Sequence, residues 1–485
     1  MIPWPRSAPT DEDRARYAGS HLGSFWLDPV SGVPDAPPRD PLDADTTADL
    51  LIVGGGYTGL WAALHAKADD PDRDVLLLEA GRCGHAASGR NGGFCVASLT
   101  HGVENGQARF AGELPRLERL GLENHAGLIA DLARHHIDAE LEETGELGVA
   151  PDPTDTAWIA EGAALLRELG HDVVALDAEA VRAELDSPVL HGGLWDRTGA
   201  ALVHPGKLAV GLRATALRLG VRIHEETAVT GLQVHGAGVR ATAVPRAPVT
   251  VTARRVVLAA GAHLGGAGEP RPVPAVRRRI APVWDHVLVT EPLTPGQRDR
   301  IGWRNRQGVG DVANLFHYFR LTADDRILWG GYDAVWRRGG PVDDRHEDHD
   351  PTYARLAQHF AVAFPQLDDV RFSHRWGGAI DTCSRFSAFF GTSHEGRVAH
   401  AVGYTGLGVA ATRFGARVAL DLLDGRATEA TRTRYVRTRP MAFPPEPART
   451  AAIRLVQNRM LAADRRGRQG PFLRLLARIG LGFDS

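Results

Sequence analysis

The hydrophobic pattern is clearest near residue 50, where a strand, a turn and a helix follow one another. Leu50 to Val53 form a short apolar run typical of a buried strand, and "LWAALHAKA" then has the apolar spacing of a helix. A polar turn at 69–74 leads into a second apolar run, "VLLLEAG". This order predicts a strand–helix–strand unit of an α/β fold.

Three glycines in the first turn of this unit have the spacing G-x-G-x-x-G. Gly54 permits a tight turn, Gly56 lets the backbone approach a pyrophosphate, and Gly59 lets the helix pack closely on the strand. The helix N-terminus then offers free N–H groups to phosphates. Glu79, 20 residues beyond Gly59, is placed to accept hydrogen bonds from ribose hydroxyls and would repel the extra phosphate of NADP. The unit therefore predicts a dinucleotide site.

The next segment, "GRCGHAASGRNGGFCVAS" at 81–98, favours FAD over NAD. It is small and glycine-rich, so its backbone can run close to a flat ligand, while Ser88, Arg90 and Asn91 can bind phosphates and ring edges. An NAD domain has no need for such a segment directly after its second strand. A third glycine-rich stretch, "GYTGLGVAATRFGARVALDLL", again precedes a helix, whose N-terminus could stabilise negative charge on a flavin ring.

Two long insertions, at roughly 105–198 and 272–374, separate these nucleotide segments. The first opens with helical apolar spacing, and the second contains strand-like runs broken by polar turns. Neither an internal repeat nor a low-complexity linker occurs, so the insertions are expected to combine into one substrate domain around a mixed sheet, interleaved with the nucleotide domain.

Alternation along "HYFRLT" selects candidate substrate residues. It puts His317 and Phe319 on one face of a strand and Tyr318 and Arg320 on the other. The second pair suits a polar substrate, because Arg binds a carboxylate bidentately and Tyr hydrogen-bonds beside it. The alternative for Arg320 is a structural ion pair. Further candidates for the pocket wall, each with core packing as its alternative, are Trp284, His286 and Trp376.

Composition excludes several other classes of function. The 485 residues exceed the roughly 250–300 that one domain usually holds, so two domains are expected. A net charge of −3 gives no electrostatic footprint for nucleic acid. The N-terminus lacks the pattern of a secretory signal, and no run of about 18 apolar residues occurs, which predicts a soluble cytoplasmic protein without an integral membrane segment. Near the end, "PFLRLLARIGLGF" is predicted to form a basic amphipathic helix that either touches a membrane or docks on its own domain.

Cysteine and lysine usage narrows the chemistry. Cys83, Cys95 and Cys383 show neither a C-x-x-C pair nor metal-ligand spacing, so they read as free thiols in a reducing compartment and no metal is expected. Lys67 and Lys207 are the only lysines. Only these two residues could therefore supply a catalytic side-chain amine.

The motif "SGRNGG" after "EAG" closely resembles the FAD-dependent D-amino-acid oxidase superfamily, which includes glycine oxidase and sarcosine oxidase. Further matches are "ALVHPGKLAVGLRATALRLGVRIHEETAVTGL", "VVLAAGAHLG", "HYFRLTADDRILWGG", "HRWGGAIDTCSRFSAFFG" and "VAHAVGYTGLGVAATRFGARVALDLL". They cover nearly the whole chain. The γ-glutamylputrescine oxidase-like branch is the most similar, down to "FPPEPART" and the "GFDS" terminus.

The resemblance implies an α/β fold, α+β overall, with a glutathione-reductase-type FAD-binding Rossmann domain and a substrate domain on a mixed, largely antiparallel sheet. It implies FAD-binding segments at 48–104, 199–271 and 375–430, substrate-domain segments at 105–198 and 272–374, an N-terminal extension at 1–47 and a C-terminal tail with a helix at 431–485. The residues it assigns to FAD, together with those of the motifs above, are Gly54, Gly56, Tyr57, Thr58, Gly59, Glu79, Ala80, Ser88, Arg90, Asn91, Gly92, Gly93, Val229, Ala260, Gly261, Gly378, Gly406, Leu407 and Gly408. Val229 has a plain core valine as its alternative.

The resemblance also implies a reaction: oxidation of the C–N bond of an amine or amino acid by hydride transfer to flavin, giving an imine, then a carbonyl and a released amine, with molecular oxygen reduced to hydrogen peroxide. Some sarcosine oxidase relatives tether FAD through a Cys, but the matching position here is Gly378 rather than Cys383, so non-covalent FAD is expected. Neither Lys67 nor Lys207 matches the oxygen-activating Lys of monomeric sarcosine oxidases. Either another cation, one of Arg277 to Arg279 or a His, replaces it, or electrons pass to a quinone or carrier protein.

Overall fold

The computed structural model describes residues 3–154, 156–266, 268, 272–466 and 470–478. The "GFDS" terminus lies outside these residues. Within them the strands are β1 (His21–Leu22), β2 (Thr46–Val53), β3 (Val75–Leu78), β4 (Phe94–Val96), β5 (Glu146–Val149), β6 (Val173–Leu176), β7 (Gly193–Asp196), β8 (Ala200–Leu202), β9 (Arg222–His224), β10 (Ala228–His235), β11 (Gly238–Val244), β12 (Val249–Leu258), β13 (Ala281–Thr290), β14 (Gly308–Asp311), β15 (His317–Leu321), β16 (Ile327–Gly331), β17 (Phe372–Thr382), β18 (Phe389–Ser393) and β19 (Val398–Val402).

The α-helices follow the same chain order and include both predicted nucleotide helices. They are α1 (Asp11–Ala15), α2 (Tyr57–Asp69), α3 (Val103–Phe110), α4 (Leu114–His135), α5 (Ala157–Glu168), α6 (Ala178–Glu184), α7 (Pro205–Arg218), α8 (Pro274–Arg277), α9 (Pro295–Ile301), α10 (Asp350–Ala363), α11 (Ala411–Leu423), α12 (Glu429–Arg432), α13 (Arg434–Arg437), α14 (Ala448–Arg466) and α15 (Pro471–Arg478).

The first sheet carries the nucleotide unit. Strands β9, β3, β2, β12 and β19 lie side by side and run parallel, while β11 and β10 continue antiparallel beside the first half of β12. Helix α2 packs between α7 and α11 on one face of this sheet. The core between them is built from β-branched and aliphatic strand residues and from the buried Trp61 of α2. Parallel strands with covering helices are the arrangement that the strand–helix–strand pattern predicts.

The second sheet has the order β1-β17-β13-β16-β15-β14-β5-β7-β6. Six of its eight neighbouring pairs are antiparallel, and the β1–β17 and β14–β5 pairs are parallel. The predicted fold class, a Rossmann-type nucleotide domain interleaved with a mixed, largely antiparallel sheet, is confirmed.

One expected domain boundary needs correction. Residue 375 falls inside β17, and β17 pairs with β13 from Phe372 to Thr382. Because a strand hydrogen-bonded along its whole length belongs to its sheet, residues 375–382 lie in the second sheet rather than in the nucleotide domain. The other domain limits stay predictions.

The described residues of both terminal segments pack against this two-sheet body. In the N-terminal segment, Trp4 joins the core under the second sheet and Trp26 lies in a small cluster with Phe25 and Trp376. In the C-terminal segment, Asp464 of α14 accepts hydrogen bonds from the main-chain N–H groups of Asn314 and Leu315, at 3.0 and 3.1 Å. No helix among the described residues is both long and apolar enough to cross a membrane.

Candidate active site

A cavity of about 1450 Å³ lies where the two sheets meet. Its lining includes the carboxyl-terminal residues of three parallel strands, Val53, Leu78 and Leu258, which is the usual place for ligands in open α/β sheets. Ordinary small-molecule pockets hold roughly 300–1,000 Å³, so this one has room for a dinucleotide and a second ligand. We call the part beside β2, β3 and α2 the nucleotide half and the part over the second sheet the substrate half.

The first turn of the nucleotide half leaves no room for side chains. Gly54 has φ +108°, and a Cβ there would lie 2.6 Å from the carbonyl oxygen of Ala259. A Cβ on Gly59 would overlap the carbonyl oxygen of Gly54. Gly59 therefore does not line the cavity but allows α2 to start directly behind the turn, as predicted for that glycine.

The N-terminus of α2 faces the cavity without a side-chain cap of its own. Gly56 is the N-cap residue, and the N–H of Tyr57 donates to Ser88 Oγ at 2.9 Å. The Thr58 hydroxyl donates to Tyr404 Oη at 3.0 Å, which connects this turn to the distant 403–408 loop. A helix N-terminus with a Ser hydroxyl beside it is suited to an anionic phosphate.

Glu79 closes the end of β3. Its carboxylate accepts the N–H of Gly55 at 2.6 Å and the N–H of Gly81 at 2.8 Å. These bonds fix the carboxylate between the two turns that flank the strand ends. It borders the cavity, as a ribose-binding group must.

The 88–93 segment is held from beneath by two indoles. Trp26 Nε1 donates to the carbonyl of Asn91, and Trp376 Nε1 donates to the carbonyl of Arg90, both at 2.8 Å. The Asn91 side chain also accepts the N–H of Gly93 at 2.9 Å. Because the main chain is fixed on its inner side, its outer side is presented to the cavity as a rigid surface.

Arg90 is anchored by an ion pair rather than left free. Its Nη1 lies 2.6 Å from Glu347 Oε1, and its Nε donates to the His85 carbonyl at 2.9 Å. Both groups fix the course of the guanidinium along the cavity wall. Gly378 lies beside it, since a Cβ there would be 3.4 Å from Arg90 Cβ.

The 403–408 loop is fixed by a buried carboxyl of β17. Asp381 accepts the N–H of Gly403 at 2.6 Å and that of Tyr404 at 3.1 Å. Burial raises the pKa of Asp381 to about 6. Gly406 has φ +97°, and the loop leads into α11. Main-chain groups of the loop and the N-terminal end of α11 therefore lie at the cavity.

The substrate half has a hydrogen-bonded pair on its floor. The Tyr318 hydroxyl of β15 donates to Asp285 Oδ2 of β13 at 2.6 Å, and both residues line the cavity. Burial raises the pKa of Asp285 to about 6 and that of Tyr318 well above its usual value. The Tyr oxygen keeps a lone pair for another donor, because its own proton is directed to Asp285.

Comparisons with known proteins now bear on this geometry. The family model described as FAD dependent oxidoreductase matches residues 49–422. That span covers most of the chain and both halves of the cavity. The chain belongs to the FAD-dependent oxidoreductase family. The predicted cofactor, FAD, and the predicted enzyme class, an oxidoreductase, are thereby confirmed.

Individual known proteins share sequence or fold with the chain. Gamma-glutamylputrescine oxidoreductase of Escherichia coli strain K12 is 33% identical over 394 residues, which cover 80% of this chain and 87% of that protein. Glycine oxidase from Geobacillus kaustophilus has a TM-score of 0.68 at 19% identity, covering 82% of this chain and all of that chain (100%). Iminodiacetate oxidase from Chelativorans sp. BNC1 has a TM-score of 0.61 at 17% identity, covering 80% and 98%.

FAD fits the nucleotide half of this family member. The glycine turn excludes side chains where a pyrophosphate would approach, and the neighbouring helix start receives no side-chain cap from its N-cap residue, Gly56. The predicted FAD residues that line the cavity are Gly54, Gly56, Tyr57, Thr58, Glu79, Ala80, Ser88, Arg90, Asn91, Gly92, Val229, Ala260, Gly261, Gly378, Gly406, Leu407 and Gly408. Gly59 and Gly93 lie behind it.

Three predicted substrate residues do not face the cavity. Arg320 is 1% exposed, and its guanidinium donates to the carbonyls of Val203 and Leu321 at 2.7 and 3.0 Å. His286 faces α10, where its ring lies beside Tyr353, and Trp376 supports the 88–93 segment as described above. Of the other predicted candidates, Tyr318 and Trp284 do line the cavity.

Arg320 differs from both expectations for it. Alternation put it on the same strand face as Tyr318, and the structure keeps it there, but under Gly93 rather than in the open cavity. Its hydrogen bonds go to main-chain carbonyls instead of a carboxylate ion pair. The residue thus holds the 88–93 segment against the second sheet.

Sequence reasoning missed the carboxyls that line the cavity, among them Asp285, Asp381 and Glu146. Asp285 and Asp381 lie inside apolar strand-like runs, "APVWDHV" and "GGAID", and an ionisable residue in such a run was the available signal. Glu146 had no comparable signal, because its strand is short and follows a polar stretch.

The C-terminal tail closes the outer side of the cavity. Ile453, Val456 and Met460 of α14 and Leu473 of α15 line it. The two helices pack on each other through Met460, Ala463 and Leu473, with Leu315 from the body of the protein beside them. The described part of the predicted amphipathic helix is thus docked on its own chain.

Neither of the two lysines nor Cys383 is placed to react with FAD or oxygen in the way that the matching residues of some relatives are expected to. Lys67 donates to the Arg73 carbonyl at 3.0 Å and Lys207 pairs with Glu140, and neither residue lines the cavity. Cys383 does line it, but its thiol donates to the Ser387 carbonyl at 3.1 Å. Burial raises the pKa of that thiol, so the nucleophilic thiolate is disfavoured. Arg277 to Arg279 do not line the cavity.

Proposed function

We propose that the chain oxidises the C–N bond of an amine or amino acid and passes the electrons to molecular oxygen. The products are an imine, hydrolysed by water to a carbonyl compound and a released amine, and hydrogen peroxide. The similar proteins are named as an oxidoreductase of gamma-glutamylputrescine and as oxidases of glycine and iminodiacetate. Each of these named compounds contains a C–N bond. The observation that carries the proposal is the Tyr318–Asp285 hydrogen bond, which lies in the same cavity as the nucleotide turn.

Bound FAD supplies the acceptor for the hydride that leaves the substrate carbon. The residues that would hold it are those of the glycine turn, Glu79, the 88–93 segment and the 403–408 loop. Their role is to orient the ligand through fixed main-chain groups, since Trp26, Trp376 and Asp381 immobilise those segments from behind.

Tyr318 and Asp285 have a role in handling the amine proton. An amine reaches the cavity mainly as an ammonium ion, and its nitrogen must lose a proton before hydride can leave the adjacent carbon. An ammonium N–H can donate to the Tyr318 oxygen while the Tyr318 proton moves to Asp285, 2.6 Å away. Because the pKa of Asp285 is about 6, its carboxylate is available as acceptor above that pH.

A dehydrogenase that uses a quinone or a carrier protein is the second candidate. The observation that favours it is that neither lysine lines the cavity. It shares the fold and the substrate half with the oxidase, and only the fate of the electrons differs.

The test is anaerobic bleaching of the flavin absorbance across a panel of amines and amino acids, followed by admission of air. We expect at least one amine to bleach the flavin, and air to restore the colour with one hydrogen peroxide formed per substrate oxidised. Bleaching that air does not reverse supports the dehydrogenase. Failure of every amine to bleach the flavin contradicts both candidates.

We also infer that FAD is held without a covalent bond, because Cys383 is a buried, hydrogen-bonded thiol and Gly378 has no side chain to form a link. Acid precipitation should then leave the yellow colour in the supernatant; colour in the pellet contradicts it. The buried free cysteines agree with a reducing compartment, and we place the protein in the cytoplasm.

A further inference from the structure

The floor of the substrate half is a row of strand positions with glycines between its polar side chains. On β14, Gly310 is the register partner of Tyr318 on β15 and of Gly148 on β5, and Glu146 lies on β5 two residues before Gly148, opposite Gly308. A Cβ on Gly310 would lie 3.6 Å from Glu146 Oε1. Glu146 therefore reaches over the bare backbone of Gly310 towards the Tyr318 ring.

The carboxyl group of Glu146 is unpaired within the part of the chain that the structure describes. Among the described residues it makes neither a hydrogen bond nor an ion pair, whereas two other carboxyls of the cavity are committed. Asp311 accepts His317 Nδ1 at 2.9 Å, and Asp333 accepts the Thr352 hydroxyl at 2.9 Å. Burial and the Asp196 carboxylate raise the pKa of Glu146 to about 7, so a cation beside it would stabilise the ionised form.

The surroundings of Glu146 suit a cation that comes with a ligand. The Phe94 and Tyr318 rings meet at right angles with centroids 5.8 Å apart, and the Phe316 ring lies 6.4 Å from that of Tyr318. All three rings line the cavity. Among the described residues that line the cavity, the only Lys or Arg residues are Arg82 and Arg90, and both lie in the nucleotide half. Aromatic faces beside a carboxylate are typical of ammonium recognition.

We propose that Glu146 binds a second, cationic nitrogen of the substrate, so that the preferred substrates are diamines whose second nitrogen stays protonated, rather than monoamines. This inference rests on the proposed amine oxidation. The reacting nitrogen lies at the Tyr318–Asp285 side of the row, and the second nitrogen lies towards β5. Neighbouring strands are about 4.8 Å apart, so a separation of roughly 5–10 Å between the two nitrogens matches one to two strand spacings.

The experiment compares Glu146→Gln with the wild-type holoenzyme on α,ω-diamines and on monoalkylamines of equal chain length. We expect kcat/KM for the diamines to fall at least tenfold and that for the monoamines to change less than twofold. Asp343→Asn is the matched control, since this cavity carboxylate already pairs with Arg345 at 2.8 Å, and it should change neither. Glu146→Asp keeps the charge on a shorter arm and should retain a preference for diamines, with a longer optimal chain.

A binding measurement separates this inference from the proposed function. Bis(trimethylammonium) alkanes and their mono-cationic analogues have no nitrogen lone pair to oxidise, and their binding is read from the perturbation of the flavin spectrum. The bis-cation should bind the wild type at least tenfold more tightly than the mono-cation, and Glu146→Gln should abolish the difference. Equal binding of both probes by the wild type overturns the inference while leaving amine oxidation intact. If Glu146→Gln fails to retain FAD, the wild-type comparison and Glu146→Asp decide.

Discussion

The two halves of the cavity are built in different ways. The nucleotide half is formed by short continuous segments, 54–59, 88–93 and 403–408, whose main chain is fixed by buried side chains behind it. The floor of the substrate half takes single side chains from separate strands, with Glu146, Asp285 and Tyr318 far apart in the sequence. The main-chain shape of the nucleotide half is therefore encoded in local glycine spacing, while the arrangement of side chains in the substrate half is encoded in strand register.

The comparison predicts that the nucleotide half is the less tolerant of added atoms, and the largest effect is expected at Gly59. In Gly59→Val the new side chain overlaps the Gly54 carbonyl oxygen, so α2 cannot stay packed behind the turn. Overpacking of this kind costs about 3 kcal/mol, which corresponds to roughly a 100-fold loss of FAD affinity. The measurement is FAD titration of the apoprotein together with the flavin-to-protein absorbance ratio.

The control for this substitution is Gly296→Ala in the short helix α9, where a Cβ would meet no atom of the described residues within 4 Å. It should keep full FAD content and gain up to about 1 kcal/mol from helix propensity. If Gly59→Val retains FAD, the proposed difference between the two halves is wrong, because the glycine spacing would then not determine FAD binding in the nucleotide half.

The same division explains how far the sequence predicts the molecule. The strand–turn–helix unit, the FAD segments and the interleaved two-sheet architecture follow from patterns a few residues long, because backbone geometry depends on neighbouring residues. Nearly all the predicted FAD residues line one cavity as a result.

The substrate half was predicted less well for a physical reason. Alternation put Tyr318 and Arg320 on one strand face, but it cannot say that Gly93 of another segment covers Arg320 while the cavity opens over Tyr318. The partner of Tyr318 is Asp285, on a strand two positions away in the sheet, and only the register of β13, β16 and β15 brings them together. Such contacts depend on the assembled sheet rather than on any local pattern.

The next largest effect is expected at Asp285 and concerns stability as well as activity. Because the pKa of Asp285 is raised to about 6, the folded state binds this proton more tightly than the unfolded chain. The free energy of unfolding therefore falls as pH rises from about 4 to about 6, and above pH 6 the destabilisation by the ionised Asp285 is complete. Asp285→Asn should be more stable than the wild type at pH 8, by roughly 1–2 kcal/mol, and no more stable below pH 4.

The same variant should lose activity, since an amide cannot accept the amine proton through Tyr318. We expect kcat/KM to fall about 100-fold with the flavin still bound. Thermal unfolding at both pH values and steady-state rates are the measurements. A variant that keeps its activity, or that is destabilised at pH 8, would show that the pair is structural and that the substrate half resembles the nucleotide half.

A smaller effect is expected at Trp26, which links the N-terminal segment to the nucleotide half. Trp26→Phe keeps an aromatic ring but removes the donor to the Asn91 carbonyl. Leaving that carbonyl without its hydrogen bond costs about 1–2 kcal/mol, so the dissociation constant of FAD should rise roughly tenfold. Trp303→Phe is the control, because the buried indole N–H of Trp303 has no hydrogen-bond partner among the described residues. An equal rise in both variants would attribute the effect to packing rather than to the fixed main chain.

The smallest effect is expected in the substrate preference of Arg320→Met. The guanidinium is buried, donates to Val203 and Leu321 carbonyls and lies 5.6 Å from the Trp26 ring, so it supports the nucleotide half from beneath. Its loss should lower thermal stability and FAD affinity, yet the ratio of kcat/KM between carboxylated and simple amines should change less than twofold. Steady-state rates for a matched pair of amines, one with and one without a carboxylate, measure that ratio. A KM increase confined to the carboxylated amine would place Arg320 in the substrate half. A single strand residue would then contribute to both halves of the cavity. That result would contradict the proposed separation between a nucleotide half built from main chain and a substrate half built from side chains.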